Sequence, residues 1–360
     1  MDKKKIVVYI NTMNASGGIE RVVANLLNEW SKLYNITLLV KDNKDSFYEI
    51  SELVEIRTLD EPLSLNMHSR ISRIIAVAFN TIKVIKKLRD FIKETEVDYL
   101  YTVTPLNSLE FYLASHKIVK KMVISEHASA FAVNKIYQII KRFLYPKAYC
   151  ISVPNKMDCK VYKEWGCNTI YIPHLVTFNN NYRNCLDSKV ILNVGRLTSD
   201  KRQKELLWIW KGVNNKNGWK LRIVGSGEEK DALEMLIRNL ELNDSVEMIE
   251  HTKNIKKIYQ EASLFAFTSR MEGFGMVLLE AMSFGIPCIS YDCPSGPRDI
   301  IINGKNGYLI KNGDKSEFSR RLERLINDEE DLLEMGKEAF ILANNWNNEA
   351  IINMWMNVYK

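Results

Sequence analysis

Short apolar runs alternate with longer amphipathic segments along the chain. Runs of four or five residues predict strands at Ile6–Ile10, Ile36–Val40, Glu55–Leu59, Tyr99–Val103, Met122–Ser125, Cys150–Val153 and Thr169–Ile172. A second set lies at Val190–Val194, Lys220–Val224, Val246–Ile249, Leu264–Phe267 and Pro287–Ser290. Most are rich in Val and Ile without polar alternation, as strands buried on both faces must be. Helical periodicity separates many of them, the βαβ signature of parallel sheets covered by helices. These are too many strands for one compact sheet. The break falls at the polar, Asn-rich run Thr177–Asn184, which has linker character. The fold class predicted is α/β, with two doubly wound domains in tandem. Each presents the carboxyl ends of its strands to a crevice. A cleft between two such domains suits a bulky nucleotide-containing ligand.

Composition narrows the class without changing that picture. The chain has 360 residues, 46% hydrophobic and 26% charged, with 16 Gly and 8 Pro. A disordered or collagen-like chain is excluded, and the length suits two domains of ~150 residues. No run approaches the ~18 apolar residues of a spanning helix. The N-terminal apolar run Ile6–Ile10 is too short for a signal peptide and reads as the first strand. Cys150, Cys159, Cys167, Cys185, Cys288 and Cys293 form no C-x-x-C pair and have no zinc-like His spacing. Reduced thiols in a cytosolic protein are expected, with no structural metal.

Charge is distributed unevenly. Residues 1–180 hold 25 basic and 18 acidic side chains, net +7, against 25 and 26 in residues 181–360, net −1. From Pro62 to Lys163 the balance is 17 against 7. Such asymmetry points to an anionic partner, nucleic acid or membrane, or else to a solvated basic face. Two helical patterns carry it. In Arg70–Lys93, Ile71, Ile74, Ile75, Ala78, Ile82 and Ile85 form a stripe among seven cations. In Lys135–Lys147 the stripe is Ile136, Ile139, Ile140 and Phe143, with Lys135, Lys141, Arg142 and Lys147 around it. A basic amphipathic helix can lie in an anionic interface, or its stripe can be domain core. No nucleic-acid motif or stacking groove accompanies the charge, so nucleic acid is not expected.

Five motifs carry candidate chemistry. Gly17 and Gly18 lead from a strand into an amphipathic helix bearing Arg21. Paired glycines allow close backbone approach and a helix N-terminus favours an anion, although a tight turn explains the pair equally well. Gly225 and Gly227 begin a dinucleotide fingerprint that fails at Lys230, which demotes NAD-dependent chemistry. Glu272-Gly273-Phe274-Gly275 precedes a helix predicted over Met276–Phe284 that contains Glu280. The amides before that helix can bind phosphate or hydroxyl oxygens. Glu272 and Glu280, eight apart, can lie on one side, and a carboxylate suits vicinal hydroxyls. The alternative makes Glu272 a dipole-complementing residue and Glu280 a solvated one. Gly195-Arg196 with Lys201 offers a planar fork and a point charge for a diphosphate leaving group, or is a basic surface loop. His127, at the end of a strand, faces the crevice in this kind of sheet, although a lone His is more often structural.

This constellation resembles the retaining glycosyltransferases of family 4, of the GT-B fold. The resemblance covers nearly the whole chain, through Gly17-Gly18 with Arg21, His127, Gly195-Arg196 with Lys201, Gly225 with Gly227, and Glu272 with Glu280 as the family's E-x7-E motif. The segment Asp292–Ile301 looks like that of bacterial members that build surface glycans on lipid carriers, and Asn303–Leu309 fits the family's next turn. The resemblance implies two Rossmann-like domains facing across a cleft. Residues 1–180 would bind the acceptor, 185–345 the nucleotide sugar, and a helix in 346–360 would cross back to the N-terminal domain. It implies that Gly17 and Gly18 lie near the diphosphate, held by Arg196 and Lys201. Glu272 with the amides of Gly273, Phe274 and Gly275 would hold the donor sugar, Glu280 the ribose, and His127 would contact the sugar near the reacting centre.

The implied activity is metal-independent, retaining transfer of a hexose or N-acetylhexosamine from a UDP-sugar, with no cofactor. The acceptor would be a polyprenyl-diphosphate-linked glycan, at the cytoplasmic face of an anionic membrane. Alternatives are a GT-B enzyme on a soluble acceptor, a nucleotide-sugar epimerase, or a nucleotide-sugar-binding subunit without turnover. Two positions depart from the family pattern. Pro173-His174 stands where a Pro-Asn pair is usual, and Met271 where an aromatic residue is common.

Overall fold

The computed structural model describes residues 3–62, 70–132, 135–178, 188–346 and 348–360, without the side chains of residues 70–78. The chain divides into two compact units, Met1–Leu175 with Glu349–Lys360, and Val176–Asn348. The sequence reading put the division at residues 180–185. Val176, Thr177 and Phe178 instead belong to the second unit, because Asn348 takes both hydrogen bonds of the Val176 backbone and Phe178 packs on Tyr259 and Phe284. Residues 179–184 of the Asn-rich run, and Cys185, lie outside the described residues.

The N-terminal unit runs β1 (Lys5–Ile10), α1 (Gly18–Leu33), β2 (Asn35–Val40), β3 (Glu55–Thr58), α2 (Arg70–Glu94), β4 (Tyr99–Thr102), α3 (Pro105–Ala114), β5 (Met122–Ser125), α4 (Lys135–Leu144), β6 (Cys150–Val153), α5 (Lys156–Glu164) and β7 (Thr169–Tyr171). Its sheet is parallel, in the order β3-β2-β1-β4-β5-β6-β7. Local sequence sets the helix starts. Thr104 caps α3, accepting from the Asn107 N–H (3.1 Å), with Pro105 in the first turn where its missing N–H costs nothing. Asn155 caps α5 in the same way through Asp158 N–H (2.7 Å).

The C-terminal unit runs β8 (Val190–Val194), α6 (Gln203–Lys211), β9 (Lys220–Val224), α7 (Lys230–Asn239), β10 (Val246–Ile249), α8 (Ile255–Gln260), β11 (Leu264–Phe267), α9 (Met276–Ser283), β12 (Cys288–Asp292), α10 (Pro297–Ile300), β13 (Gly307–Lys311), α11 (Lys315–Asn327) and α12 (Glu329–Asn345). Its parallel sheet has the order β10-β9-β8-β11-β12-β13. Two buried apolar clusters cover the faces of this sheet. The resemblance makes Asn303–Leu309 a turn, whereas β13 already begins at Gly307. Gly307 is there for proximity: a Cβ would overlap the Cys288 carbonyl on β12.

The last helix, α13 (Asn348–Val358), packs in the N-terminal unit. Trp355 and Tyr359 meet the Trp30 ring edge-on at 5.0 and 5.3 Å, and the Tyr99 hydroxyl donates to the Lys360 carbonyl (2.6 Å). Among the described residues no helix is long and apolar enough to cross a membrane.

For the stripes of the two basic helices, left open between core and interface by the sequence, the structure gives the direction. On α4, Ile136, Ile139 and Phe143 are 64%, 68% and 50% exposed, whereas Lys141 is buried. The stripe points outward, because Lys141 has a carboxylate to meet inside. On α2, Ile82 of the expected stripe is exposed and the inward face is Val84, Leu88 and Phe91. The positions Ile71, Ile74, Ile75 and Ala78 lie outside the described side chains.

Candidate active site

In the C-terminal unit β8 has β9 on one side and β11 on the other, so the winding reverses between β8 and β11. Ligands of doubly wound sheets bind at that point, beyond the carboxyl ends of the strands. The loops leaving these strands are the Arg196–Lys201 loop and the Glu272 loop.

The first loop is fixed on both sides. Toward β9, the Leu197 N–H donates to the Ser226 carbonyl (2.9 Å), and the Leu197 carbonyl accepts from the Glu229 N–H (3.0 Å). Gly225 and Gly227 permit this approach, since a Cβ on either would overlap the carbonyl of Gly195 or Leu197. The glycine pair that begins like a dinucleotide fingerprint thus packs one loop on another. Toward β11, the Thr268 hydroxyl donates to the Lys201 carbonyl (3.1 Å). Arg270 donates from its backbone to the Asp200 carbonyl (2.8 Å) and from its guanidinium to the Asp200 carboxylate (2.5 Å). Gln203 donates its amide to the Arg196 carbonyl (3.0 Å). Arg196 is exposed on this loop.

Lys201 Nζ forms an ion pair with Glu272 Oε1 across the two loops, the side chains being 23% and 13% exposed. Glu272 is not on the α9 helix, which corrects the helical-face argument for Glu272 and Glu280. Gly275 caps α9 with φ +91°, a left-handed turn that ends the loop, and the helix starts at Met276. Gly273 and Phe274 sit buried in that turn. The Phe274 carbonyl lies so close to Gly296 that a Cβ there would overlap it. Glu280, on α9, is 1% exposed. Its carboxylate accepts from the Tyr259 hydroxyl (2.8 Å) on one oxygen and from the Thr177 hydroxyl (3.2 Å) on the other.

The structure therefore brings Lys201 and Glu272 together, and holds Arg196 on the same loop as Lys201. Asp200, Gln203, Thr268 and Arg270, which tie the loops, and Tyr259 and Thr177, which hold Glu280, escaped the sequence reading. Asp200, Gln203 and Arg270, within two residues of Lys201 or Glu272, carried a positional hint.

In the N-terminal unit the winding reverses between β1 and β4. There Asn107 donates its amide to the Asn11 side chain (2.8 Å). Gly17 caps α1 and Gly18 is its first residue. The Tyr48 hydroxyl donates to the Ser16 carbonyl (3.0 Å), and the Arg21 guanidinium lies over the Tyr48 ring at 5.1 Å. His127 follows β5. Its ring stacks on that of His174, 5.3 Å between centroids and 16° from parallel. Burial pushes the His127 imidazole down to about 4, and pushes His174 well below the ordinary range, with the His127 ring adding to it. Both rings are therefore neutral at pH 7. His174, the departure from Pro-Asn, is thus the ring beneath His127. The five described cysteines are buried and unpaired.

Residues 179–341 match the family Glycosyl transferases group 1. The amylovoran biosynthesis glycosyltransferase AmsD of Erwinia amylovora is 28% identical, over 98% of this chain and 99% of its own. A Campylobacter jejuni enzyme is 25% identical over 90% and 89%; its name makes it an alpha-1,4-N-acetyl-D-galactosaminyltransferase acting on a GalNAc-containing, diNAcBac-PP-undecaprenol-linked acceptor. Among solved structures, Anabaena Alr3699/HepE in complex with UDP and glucose aligns with a TM-score of 0.78 at 17% identity, over 98% of each chain. The two parallel sheets covered by helices are those of the GT-B fold. Residues 179–341 are similar to the group 1 glycosyl transferases, and the chain is a glycosyltransferase with the GT-B fold.

Proposed function

We propose that this glycosyltransferase moves a hexose or N-acetylhexosamine from a UDP-sugar to a lipid-linked glycan, with retention and without a metal. The observation that carries the reading is the Lys201–Glu272 pair at the β8–β11 switch point, with Arg196 on the same loop. A carboxylate that accepts sugar hydroxyls stands beside an ammonium that stabilises a departing diphosphate, so donor and leaving group have adjacent, oppositely charged seats. Two cations on one loop supply the positive charge a metal would otherwise bring. Gly273, Phe274 and Gly275 lead the chain from Glu272 into α9 and are assigned to the donor sugar. Glu280 is assigned to the ribose, Gly17 and Gly18 to the diphosphate, and neutral His127 to the sugar. The UDP in the Anabaena neighbour and the undecaprenol-linked acceptor of the Campylobacter relative support donor and acceptor class.

The outward face of α4 supports a membrane-bound acceptor. Ile136, Ile139 and Phe143 lie exposed beside Lys135 and Arg142, which fits an anionic lipid surface better than water.

The test is a panel of UDP- and GDP-sugars scored for thermal stabilisation, donor hydrolysis and transfer, with and without EDTA. UDP-sugars should stabilise the protein and turn over in chelator. Preference for GDP, or activity lost in EDTA and restored by Mn²⁺, contradicts the corresponding part of the reading. Sedimentation with phosphatidylglycerol vesicles should capture the parent chain in a salt-sensitive way and fail for Ile139→Ser/Phe143→Ser. Equal capture of both removes α4 as the docking face.

A further inference from the structure

His127 is held without a hydrogen bond. Among the described residues neither ring nitrogen has a partner, though both are buried. A buried ring in that state is oriented only by what it packs against and by its own backbone. His174 supplies the packing, through the parallel stack. The backbone is fixed by the preceding residue. Glu126 donates its N–H to the Ser152 carbonyl on β6 (2.9 Å). Its carboxylate is gripped by three donors from α4, the turn after it, and α5. The Tyr145 hydroxyl meets Oε1, while Lys141 Nζ (2.5 Å) and the Tyr162 hydroxyl (2.7 Å) meet Oε2. Lys141 Nζ also donates to Tyr162 (2.8 Å), closing the network. The pair is 1% and 4% exposed. Such a buried network adds little stability over an apolar replacement of similar shape. What it does provide is one fixed geometry, because every member is satisfied in only one arrangement. No step of the proposed reaction uses these four side chains directly.

We propose that Glu126, clamped by Lys141, Tyr145 and Tyr162, and His174, stacked beneath the ring, are the positioning residues that aim His127 at a sugar hydroxyl of the substrate. The inference rests on the reading of His127 as a sugar contact. It makes α4 part of the reaction apparatus through its inward face, although none of its residues touches the substrate.

The test uses the full chain and the double variant Glu126→Gln/Lys141→Met, which removes both charges together and strands neither. The midpoint of thermal unfolding should stay near that of the parent, calorimetric UDP affinity should be unchanged, and the donor KM should move little. The kcat should fall by about tenfold or more, because a small misplacement of a reacting contact is costly. In histidine-labelled protein the His127 imidazole signal, identified by its absence in His127→Asn, should shift. If the double variant does not fold, Tyr162→Phe removes one jaw of the clamp and should show the same kcat-over-KM split at severalfold. His174→Ala should lower kcat likewise, and His174→Phe, which keeps a ring in the stack, should recover most of the loss. A folded clamp variant with full kcat and an unmoved His127 signal overturns the proposal. If His127→Asn itself keeps full turnover, the sugar-contact reading fails and the proposal with it. If His127→Asn loses turnover while the clamp variants keep theirs, only the positioning role fails.

Discussion

Each unit contains a Lys–Glu pair, and the two pairs are opposites. Lys201–Glu272 joins two loops at the carboxyl ends of β8 and β11, with both side chains partly open to solvent. Lys141–Glu126 joins a helix to the segment after β5 and is closed off, with two tyrosine hydroxyls also donating to the carboxylate. The first pair can exchange partners. A phosphate can take the ammonium and a sugar can take the carboxylate, and water screens the charges in the meantime. The second cannot exchange, since removing either partner leaves a lone charge in a medium that solvates it poorly. The same chemistry leaves a pair free to change partners where it is open and gives a fixed geometry where it is closed.

The sharpest way to break the comparison is to remove one lysine from each pair. Lys141→Ala should cost about 3–5 kcal/mol of stability, the price of a stranded buried charge. Denaturant unfolding of the parent and the variant measures it. A loss under 1 kcal/mol would mean that the closed pair behaves like an exposed one. Lys201→Ala should reverse the pattern. Its stability should change by about 1 kcal/mol or less, while turnover falls by roughly 10²–10³-fold, as when a group that stabilises a leaving charge is deleted. Steady-state transfer with saturating donor separates the two outcomes. Retained turnover would make the open pair a surface ornament.

Both halves of this contrast were unequally legible in the sequence. The open pair was visible, because its residues stand next to glycines that mark strand-to-helix turns. The closed pair was not, because Lys141 sits in a helical pattern where a lysine ordinarily belongs on the solvent side. The direction of α4 stayed open for a related reason: Ile136, Ile139 and Phe143 have helical spacing that fits a core stripe or an exposed one equally well, and periodicity does not say which face turns inward. The parallel strands were readable because burial on both faces leaves continuous Val/Ile runs. β13 was hidden because its first residue is a glycine required for proximity to Cys288, a requirement set by a neighbour far away in sequence. Glu272 and Glu280 were found as a pair, and the glycine turn before the helix with them, but not the different settings the two carboxylates take on either side of it.

That separation can be tested at a smaller scale. Glu280 is buried and holds the Tyr259 hydroxyl, whereas Glu272 faces Lys201 at the loops. Tyr259→Phe removes one charge-assisted hydrogen bond from Glu280, worth about 1.5–3 kcal/mol. If Glu280 binds the ribose, UDP affinity by calorimetry should weaken by about tenfold, with turnover of bound donor close to that of the parent. A variant with normal UDP affinity and slow turnover would move Glu280 from the nucleotide to the reacting sugar.

The smallest effect concerns the stacked histidines beneath the proposed sugar contact. Burial holds His127 at about 4, against an ordinary 6.5 in the unfolded chain. Between those values the unfolded chain binds a proton that the folded one does not. Stability is therefore undiminished above 6.5 and is lost as pH falls from 6.5 toward 4. From pH 7 to pH 6 the loss for such a group is about 0.7 kcal/mol. His174 shifts the same way, so the pair should act in one direction over that interval. Urea unfolding at both pH values measures the total. Other groups contribute to it, so the informative quantity is the difference between the parent chain and His127→Asn. That difference reports His127 together with what its ring adds to the shift of His174, and the variant should be less sensitive to acid by at least about that amount. An unchanged slope would mean that His127 binds its proton equally well in both states. The ring would then be reached by solvent in the folded protein, and the stack on His174 would not be what keeps it neutral.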